Sequence, residues 1–253
     1  MITCTLCQRH KRAYEEGGMG IHMSGILYGV GVGPGDPELM TLKAVRLIQE
    51  NNIIACPGLV ARETVAYKIA IQAEPSLSQK NLLSIHMPMT HDQAKLEQSH
   101  NLAASTIEAF LEKGENVIYL TLGDPTIYST YLYIQKIVAA HGYQTELVSG
   151  ITSFCAAAAR TNTSLVEWNE QLHIVPAVHR LDHELNIPGN YILMKSGCKM
   201  EQVKEILARS GKEVTMVENC GMENEHIYQG IEEIPDNTGY YSLIIAKEPH
   251  TNL

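Results

Sequence analysis

Apolar residues recur along the first half of this chain in two alternating rhythms. Short, nearly continuous apolar runs end in glycine or proline. Ile26–Val32 closes on Gly33-Pro34-Gly35, Ile53–Ala55 on Pro57-Gly58, and Asn116–Leu122 on Gly123-Asp124-Pro125. Runs of this kind are the signature of strands buried on both faces of a parallel sheet. Between them the apolar positions fall at helical spacing: Leu39, Leu42, Val45, Leu47 and Ile48 as far as Asn51-Asn52, then Thr64–Ala73, then Gln93–Lys113 with Gly114 as its stop. Leu82–Ile85 adds a short strand, and another helix runs from the loop at Gly123–Ser129 to His141-Gly142. The alternation predicts a doubly wound α/β domain with a mostly parallel sheet over residues 25–145.

The second half has a different rhythm. After Glu146–Val148 and a small-residue helix at Ile151–Arg160, strand patterns crowd together at Leu172–Val175, Tyr191–Met194, Val214–Val217, His226–Gln229 and Tyr240–Ala246. One clear helix intervenes, Met200–Ser210, with Gly211 to end it. Residues 146–253 therefore read as an α+β domain with a mixed sheet, and the change from one half to the other is expected near 143–149. Residues 1–24 precede the organised pattern and read as a flexible N-terminal tail.

Length and composition narrow the function. In 253 residues, 45% are hydrophobic, enough for a real core. Nineteen Lys and Arg against 28 Asp and Glu leave a formal charge of −9, which disfavours nucleic acid as a partner. The longest apolar stretch, Leu147–Ala159, is broken by Ser149, Gly150, Thr152 and Ser153, so no membrane partner is expected. The first 25 residues lack the apolar core of a secretory signal. Six scattered cysteines read as reduced thiols of a cytoplasmic protein. Cys4-x-x-Cys7-x-x-His10 is half a zinc pattern with no second pair, and His179 and His183, flanking Asp182, sit beside Pro188-Gly189 in what reads as a surface loop. No protein-bound metal is expected from either.

Three segments carry chemistry. Gly29-Val-Gly31-Val-Gly33-Pro-Gly35-Asp-Pro37 follows a strand and precedes a helix, but its glycines miss the register of a dinucleotide fingerprint, and Asp36 would repel a pyrophosphate. What remains is a chain that approaches something closely, with no side chains in the way. Thr121-Leu-Gly-Asp124-Pro-Thr-Ile-Tyr128-Ser129 stands at the carboxyl end of the most apolar strand, where open α/β sheets bind ligands. Ser149-Gly150-Ile-Thr152-Ser153 opens a helix whose face is nearly all alanine, suited to close packing or to a flat ligand.

Together these segments resemble the tetrapyrrole methylase family. The resemblance covers residues 25–248 and rests on Leu27–Leu39, Gly123–Thr130, Gly150–Phe154 and Leu193-Met194-Lys195. Within the family these residues are most similar to the branch that methylates C-20 of precorrin-2 or cobalt-factor-2 in cobalamin biosynthesis. Ser149 and Ser164 depart from the pattern, standing where the family favours proline. The resemblance implies a homodimer of two-domain subunits that bind S-adenosyl-L-methionine in the cleft between the domains. It carries the cofactor contacts onto Pro34, Leu122, Gly123, Asp124, Ile127, Thr152, Ser153 and Met194, with Asn219, Ser242 and Leu243 as looser correspondences.

The implied chemistry is methyl transfer from an activated sulfonium to a nucleophilic ring carbon, which asks the protein mainly for alignment. One proton must then leave the methylated carbon. Tyr128, Asp124 and His86 are the candidate acceptors. The substrate carries several carboxylates, so local cations are needed against the overall negative charge. Lys43, Arg62, Lys68, Arg160 and Lys195 are candidates, with Thr126, Ser129 and Thr130 as hydroxyl donors to the acid arms. Any cobalt would arrive inside the substrate. The competing readings are a methylase of the same fold acting elsewhere on the ring, or on RNA or diphthine; a nucleotide-dependent oxidoreductase; and a non-catalytic binding protein.

Overall fold

Two five-stranded sheets, each covered by helices, follow one another along the chain. The computed structural model describes residues 24–177, 185 and 187–249. The Cys4–His10 and His179–His183 patterns, the tail before Ser24 and the last four residues lie outside them.

The first sheet holds β1 (Ile26–Gly31), β2 (Ile53–Pro57), β3 (Asn81–Ile85), β4 (Val117–Thr121) and β5 (Gln144–Val148) in the order β3-β2-β4-β1-β5. All its pairings are parallel. Its strands are apolar on both sides because both sides are covered. The helices α1 (Leu42–Glu50) and α2 (Val65–Ala73) pack Ala44, Leu47, Ile48, Tyr67 and Ala70 onto one face. The helices α3 (Gln93–Leu111) and α4 (Tyr131–Ala140) pack Ala104, Ile107, Leu111, Tyr131 and Ile134 onto the other. Thr41, Thr64 and Asp92 start three of these helices, each accepting a backbone N–H from the first turn.

The second sheet holds β6 (Leu172–Pro176), β7 (Asn190–Met194), β8 (Glu213–Glu218), β9 (His226–Gln229) and β10 (Ser242–Lys247) in the order β6-β7-β10-β8-β9. The β6–β7 pair is parallel and the other three are antiparallel, so the sheet is mixed, as the sequence pattern predicts. The helix α5 (Ser153–Arg160) turns Phe154 and Ala156–Ala158 onto this sheet, against Ile192, Val217, Leu243 and Ile245. Its alanines thus serve close packing. The helix α6 (Met200–Ser210) covers the opposite face and ends at Gly211, whose φ of +68° is the left-handed cap expected of a glycine there. β5 pairs with β1, so the first sheet runs to Val148, three residues past the division expected at 145/146.

In the first sheet the chain leaves β1 toward β2 over one face and leaves β4 toward β5 over the other. Since β1 and β4 are neighbours, their carboxyl ends form the crevice where such sheets bind ligands. There the backbones meet. Gly33 and Gly123 form an isolated antiparallel bridge, each N–H donating to the other's carbonyl at 3.3 and 2.8 Å. A Cβ on Gly31 would stand 2.5 Å from the Gly123 oxygen, and one on Gly150 only 2.2 Å from that same oxygen. Gly29 is bare for another reason, since the Tyr131 ring fills the place of its side chain. The glycine row therefore approaches the protein's own backbone and core.

Gly150→Ala is expected to destabilise the fold by about 1–3 kcal/mol or more, because the atom it must displace is a strand-end carbonyl and not a flexible side chain. Urea unfolding of the variant beside the wild type measures this.

Candidate active site

At that crevice lies a cavity of about 280 Å³. The loops after β1, β4 and β5 reach it with Pro34, Leu122–Asp124, Ile127–Thr130 and Thr152-Ser153, and β2 contributes Pro57. The second sheet closes it with Met194 and Lys195 at the end of β7, Val217, Cys220 and Met222 at the end of β8, and Tyr240–Leu243 at the start of β10.

All eight residues expected to contact the cofactor line this one cavity. So do Tyr128, Ser129, Thr130 and Lys195 from the other expectations, and the looser pair Ser242 and Leu243. Thr126 stands beside it, held by Asp124. Sequence reasoning missed Pro57, Cys220, Met222, Tyr240 and Tyr241, which bear no motif. The nearest available signal was Asn219-Cys220-Gly221, a turn-forming triplet directly after a strand.

Four cations and one histidine do not join the site. Lys43 pairs with Glu146 across α1 and β5, with both side chains about half exposed. Arg62 donates to the Tyr67 hydroxyl at 2.8 Å and to the Ser78 carbonyl at 3.0 Å. Arg160 forks onto Glu225. Lys68 and His86 are exposed and off the lining. Lys43 and Arg62, expected to bind substrate, are held by these contacts away from the lining of this cavity.

Asp124 is buried and fully engaged. Its Oδ1 accepts the Thr126 amide at 2.8 Å and the Thr126 hydroxyl, and its Oδ2 accepts the Gly150 amide at 3.0 Å. A carboxylate held this way fastens the β4 loop to the β5 loop and shapes the lining between them. That is a different task from the proton transfer expected of it.

The charged side chains on the lining are Asp124 and Lys195. Among the described residues no carboxylate pairs with Lys195; its ammonium lies 5.3 Å from the centre of the Tyr128 ring. Both residues have positive φ, +61° for Lys195 and +49° for Tyr128. Such backbone is costly for residues with side chains and tends to persist where it serves a site. The Tyr128 hydroxyl reaches the Ile174 carbonyl at 3.4 Å, a long contact that joins the two halves over the cavity.

One polar atom on the lining is unanswered. The Thr152 hydroxyl is buried and has no hydrogen-bond partner, although its residue is the N-cap of α5. A buried hydroxyl left alone costs about 1–3 kcal/mol unless a ligand or water satisfies it. The cavity is thus built to receive a polar group at Thr152, over a floor of bare main chain at Gly123.

The sequence profile of the Tetrapyrrole (Corrin/Porphyrin) Methylases matches residues 26–235. The chain belongs to the tetrapyrrole methylase family. It is 32% identical over 225 residues to a Methanocaldococcus jannaschii protein named "Probable cobalt-precorrin-2 C(20)-methyltransferase", covering 87% of this chain and 95% of that one. It is 27% identical over 242 residues to a precorrin-2 C(20)-methyltransferase of Sinorhizobium sp, covering 88% and 97%. Among solved structures, a uroporphyrin-III C-methyltransferase of Thermus thermophilus, complexed with S-adenosyl homocysteine, superposes with a TM-score of 0.67 at 23% identity, covering 88% of this chain and 98% of that one. This tetrapyrrole methylase shares its overall fold with that structure.

Asp124→Ala removes the acceptor of three hydrogen bonds and leaves the half-buried Gly150 amide without its partner. A loss of about 2 kcal/mol in stability is expected, read from the denaturant midpoint at unchanged m-value.

Proposed function

We propose that this chain is an S-adenosyl-L-methionine-dependent C-methyltransferase acting at the C-20 meso carbon of precorrin-2 or its cobalt-containing counterpart, in cobalamin biosynthesis. The observation that carries the reading is the convergence of the loops around Pro34, Gly123 and Thr152 on one cavity at the sheet's switch point. Relatives named for this reaction align with nearly the whole chain, and their names include both the cobalt-bearing and the cobalt-free ring.

The residues present fit the donor. A volume of about 280 Å³ lies at the lower edge of small-ligand sites, which typically run from roughly 300 Å³ upward. Thr152 offers its unpartnered hydroxyl, and Gly123, with φ of +70°, exposes main chain without a Cβ. Pro34, Leu122, Ile127, Ser153 and Met194 complete the contact set. When bound, S-adenosyl-L-methionine supplies a methyl group on an already activated sulfonium. What the chain adds is alignment, and holding two reactants in line can lower a barrier by about 7–11 kcal/mol. Asp124 acts as a positioning residue, fastening the two loops that carry Gly123 and Thr152.

A tetrapyrrole with several carboxylates needs a local cation on a chain of net charge −9. Lys195 meets that need, as the cation on the lining without a carboxylate partner among the described residues. Ser129 and Thr130, on the same lining, are the hydroxyl donors we assign to the acid arms. Tyr128, 45% exposed on the lining, is the residue we assign to relay the proton of the methylated carbon to water, its hydroxyl passing its own proton to solvent as it takes the new one.

We further propose a homodimer working in the cytoplasm. In support, Leu59, Val60 and Met89 are exposed on the loops that leave the adjacent strands β2 and β3. Cys56, Cys155 and Cys220 are free thiols, and among the described residues no helix is long and apolar enough to cross a membrane.

Two measurements test the reading. Purified protein with S-adenosyl-L-methionine is expected to add 14 Da to precorrin-2 or to cobalt-factor-2, seen by mass spectrometry; no mass gain on either ring would overturn the assignment. Lys195→Ala is expected to raise KM for the tetrapyrrole about tenfold while sparing kcat and donor affinity, because it removes a charge-assisted contact made before and during transfer.

A further inference from the structure

The cavity wall formed by Cys220–Met222 has an unusual backbone. Asn219 and Gly221 both have positive φ, +51° and +76°, within three residues. The segment is also pressed against the first half. A Cβ on Gly35 would stand 2.1 Å from the Cys220 carbonyl oxygen, and one on Gly221 would stand 2.5 Å from the Asp36 amide. The wall therefore touches the same loop that brings Pro34 to the cavity.

One side chain holds this segment in place. Glu225 is 12% exposed, and its Oε2 accepts the Gly221 amide at 2.6 Å. The same carboxylate takes a fork from Arg160, with Nε at 2.9 Å and Nη2 at 2.6 Å from Oε1. Two near-parallel donors of this kind fix direction as well as distance. Arg160 is the last residue of α5, the helix whose opening residues Thr152 and Ser153 line the cavity. Burial alone would raise the Glu225 carboxyl, but the Arg160 and Gly221 hydrogen bonds outweigh it and hold the group below its usual range.

We propose that Arg160 and Glu225 are positioning residues that lock the Cys220–Met222 wall against the Gly33–Asp36 loop and thereby set the affinity of the cavity for its donor ligand. The proposal rests on the reading of that cavity as the S-adenosyl-L-methionine site. It also explains why Arg160, a candidate for substrate carboxylates by sequence, faces a carboxylate of its own chain.

Cys220 supplies a readout that needs neither substrate nor donor. Its thiol is 8% exposed, and burial, with a contribution from Glu225, pushes its pKa up to about 11, so it reacts slowly at neutral pH. Cys56, fully buried in β2, is an internal control for global opening. The experiment alkylates wild type, Arg160→Ala, Arg160→Lys and Glu225→Gln with iodoacetamide and maps the rate at each cysteine by peptide mass spectrometry. Calorimetry then measures the affinity of each for S-adenosylhomocysteine.

In Arg160→Ala and Glu225→Gln, Cys220 is expected to react about tenfold faster with Cys56 unchanged. Affinity is expected to fall about tenfold, within the range for residues acting one step away from a ligand. Arg160→Lys, which keeps the charge without the fork, is expected to fall between. Unchanged Cys220 rates and affinities would overturn the proposal, and so would a parallel rise at Cys56, which marks a general stability role. If wild type fails to bind S-adenosylhomocysteine, the reading of the cavity fails, while the Cys220 rates still decide whether the pair holds the wall.

Discussion

Everything in this molecule that bears on function depends on a backbone crossing where Gly31, Gly33, Gly123 and Gly150 meet without side chains. Two parallel strands end side by side there, and the loop beyond β5 lies across them. The Gly33–Gly123 bridge continues the sheet past the ends of β1 and β4, so the two loops leave as a pair. The Gly123 carbonyl then sits within 2.5 Å of where a Cβ would lie on either Gly31 or Gly150. Three loops that would splay apart if they carried side chains are forced into one bundle. Asp124 locks the bundle by reaching from the second loop to the Gly150 amide of the third. The cavity is the space left above this crossing, and the second sheet roofs it.

This accounts for what could and could not be read from the residues alone. Element identity was legible nearly everywhere because the strands of the first sheet are apolar on both faces and the helices carry strong stops. Met200–Ser210 ends at Gly211 in the left-handed conformation that a stop there requires. The part of the cavity lining that comes from the first sheet's loops was legible because its residues sit in short motifs at strand ends. Other features depended on contacts between distant parts of the chain, which local pattern does not encode. The glycine row read as a chain that approaches something closely, without saying what; Gly29 faces Tyr131 and Gly35 faces Cys220. Lys43 and Arg62 read as anchors for an acidic substrate, and nothing in the sequence pointed to the Glu146, Tyr67 and Ser78 contacts that hold them off the cavity lining. Charge in a sequence says nothing of direction. Tyr240, Tyr241 and Met222 were missed for the complementary reason: they are ordinary residues that become lining only when β8 and β10 are placed side by side.

The two halves share the work unequally. The first contributes the strand-end loops, with Gly123 bare of a side chain and the hydroxyls of Ser129, Thr130, Thr152 and Ser153 around it. The second contributes Met194, which faces the same cavity as those loops, and the larger polar side chains Lys195, Tyr240 and Tyr241. The Tyr128–Lys195 contact is the seam between these roles. It stacks a residue of the first half on a cation of the second, both with left-handed backbone.

Size then decides how donor and ring divide the space. A half-open cavity of about 280 Å³ is near the floor for a small-molecule site and smaller than a four-ring macrocycle with acid arms would fill. A ring lying across the opening would present one meso carbon inward and keep its carboxylates at the rim. On that geometry a cation is useful at the rim and wasted in the depth, where desolvating it would be costly. Lys195, half-buried beside an exposed tyrosine face, stands where the arrangement needs charge. The buried end of the lining is neutral apart from an aspartate whose oxygens are already engaged by its own loops.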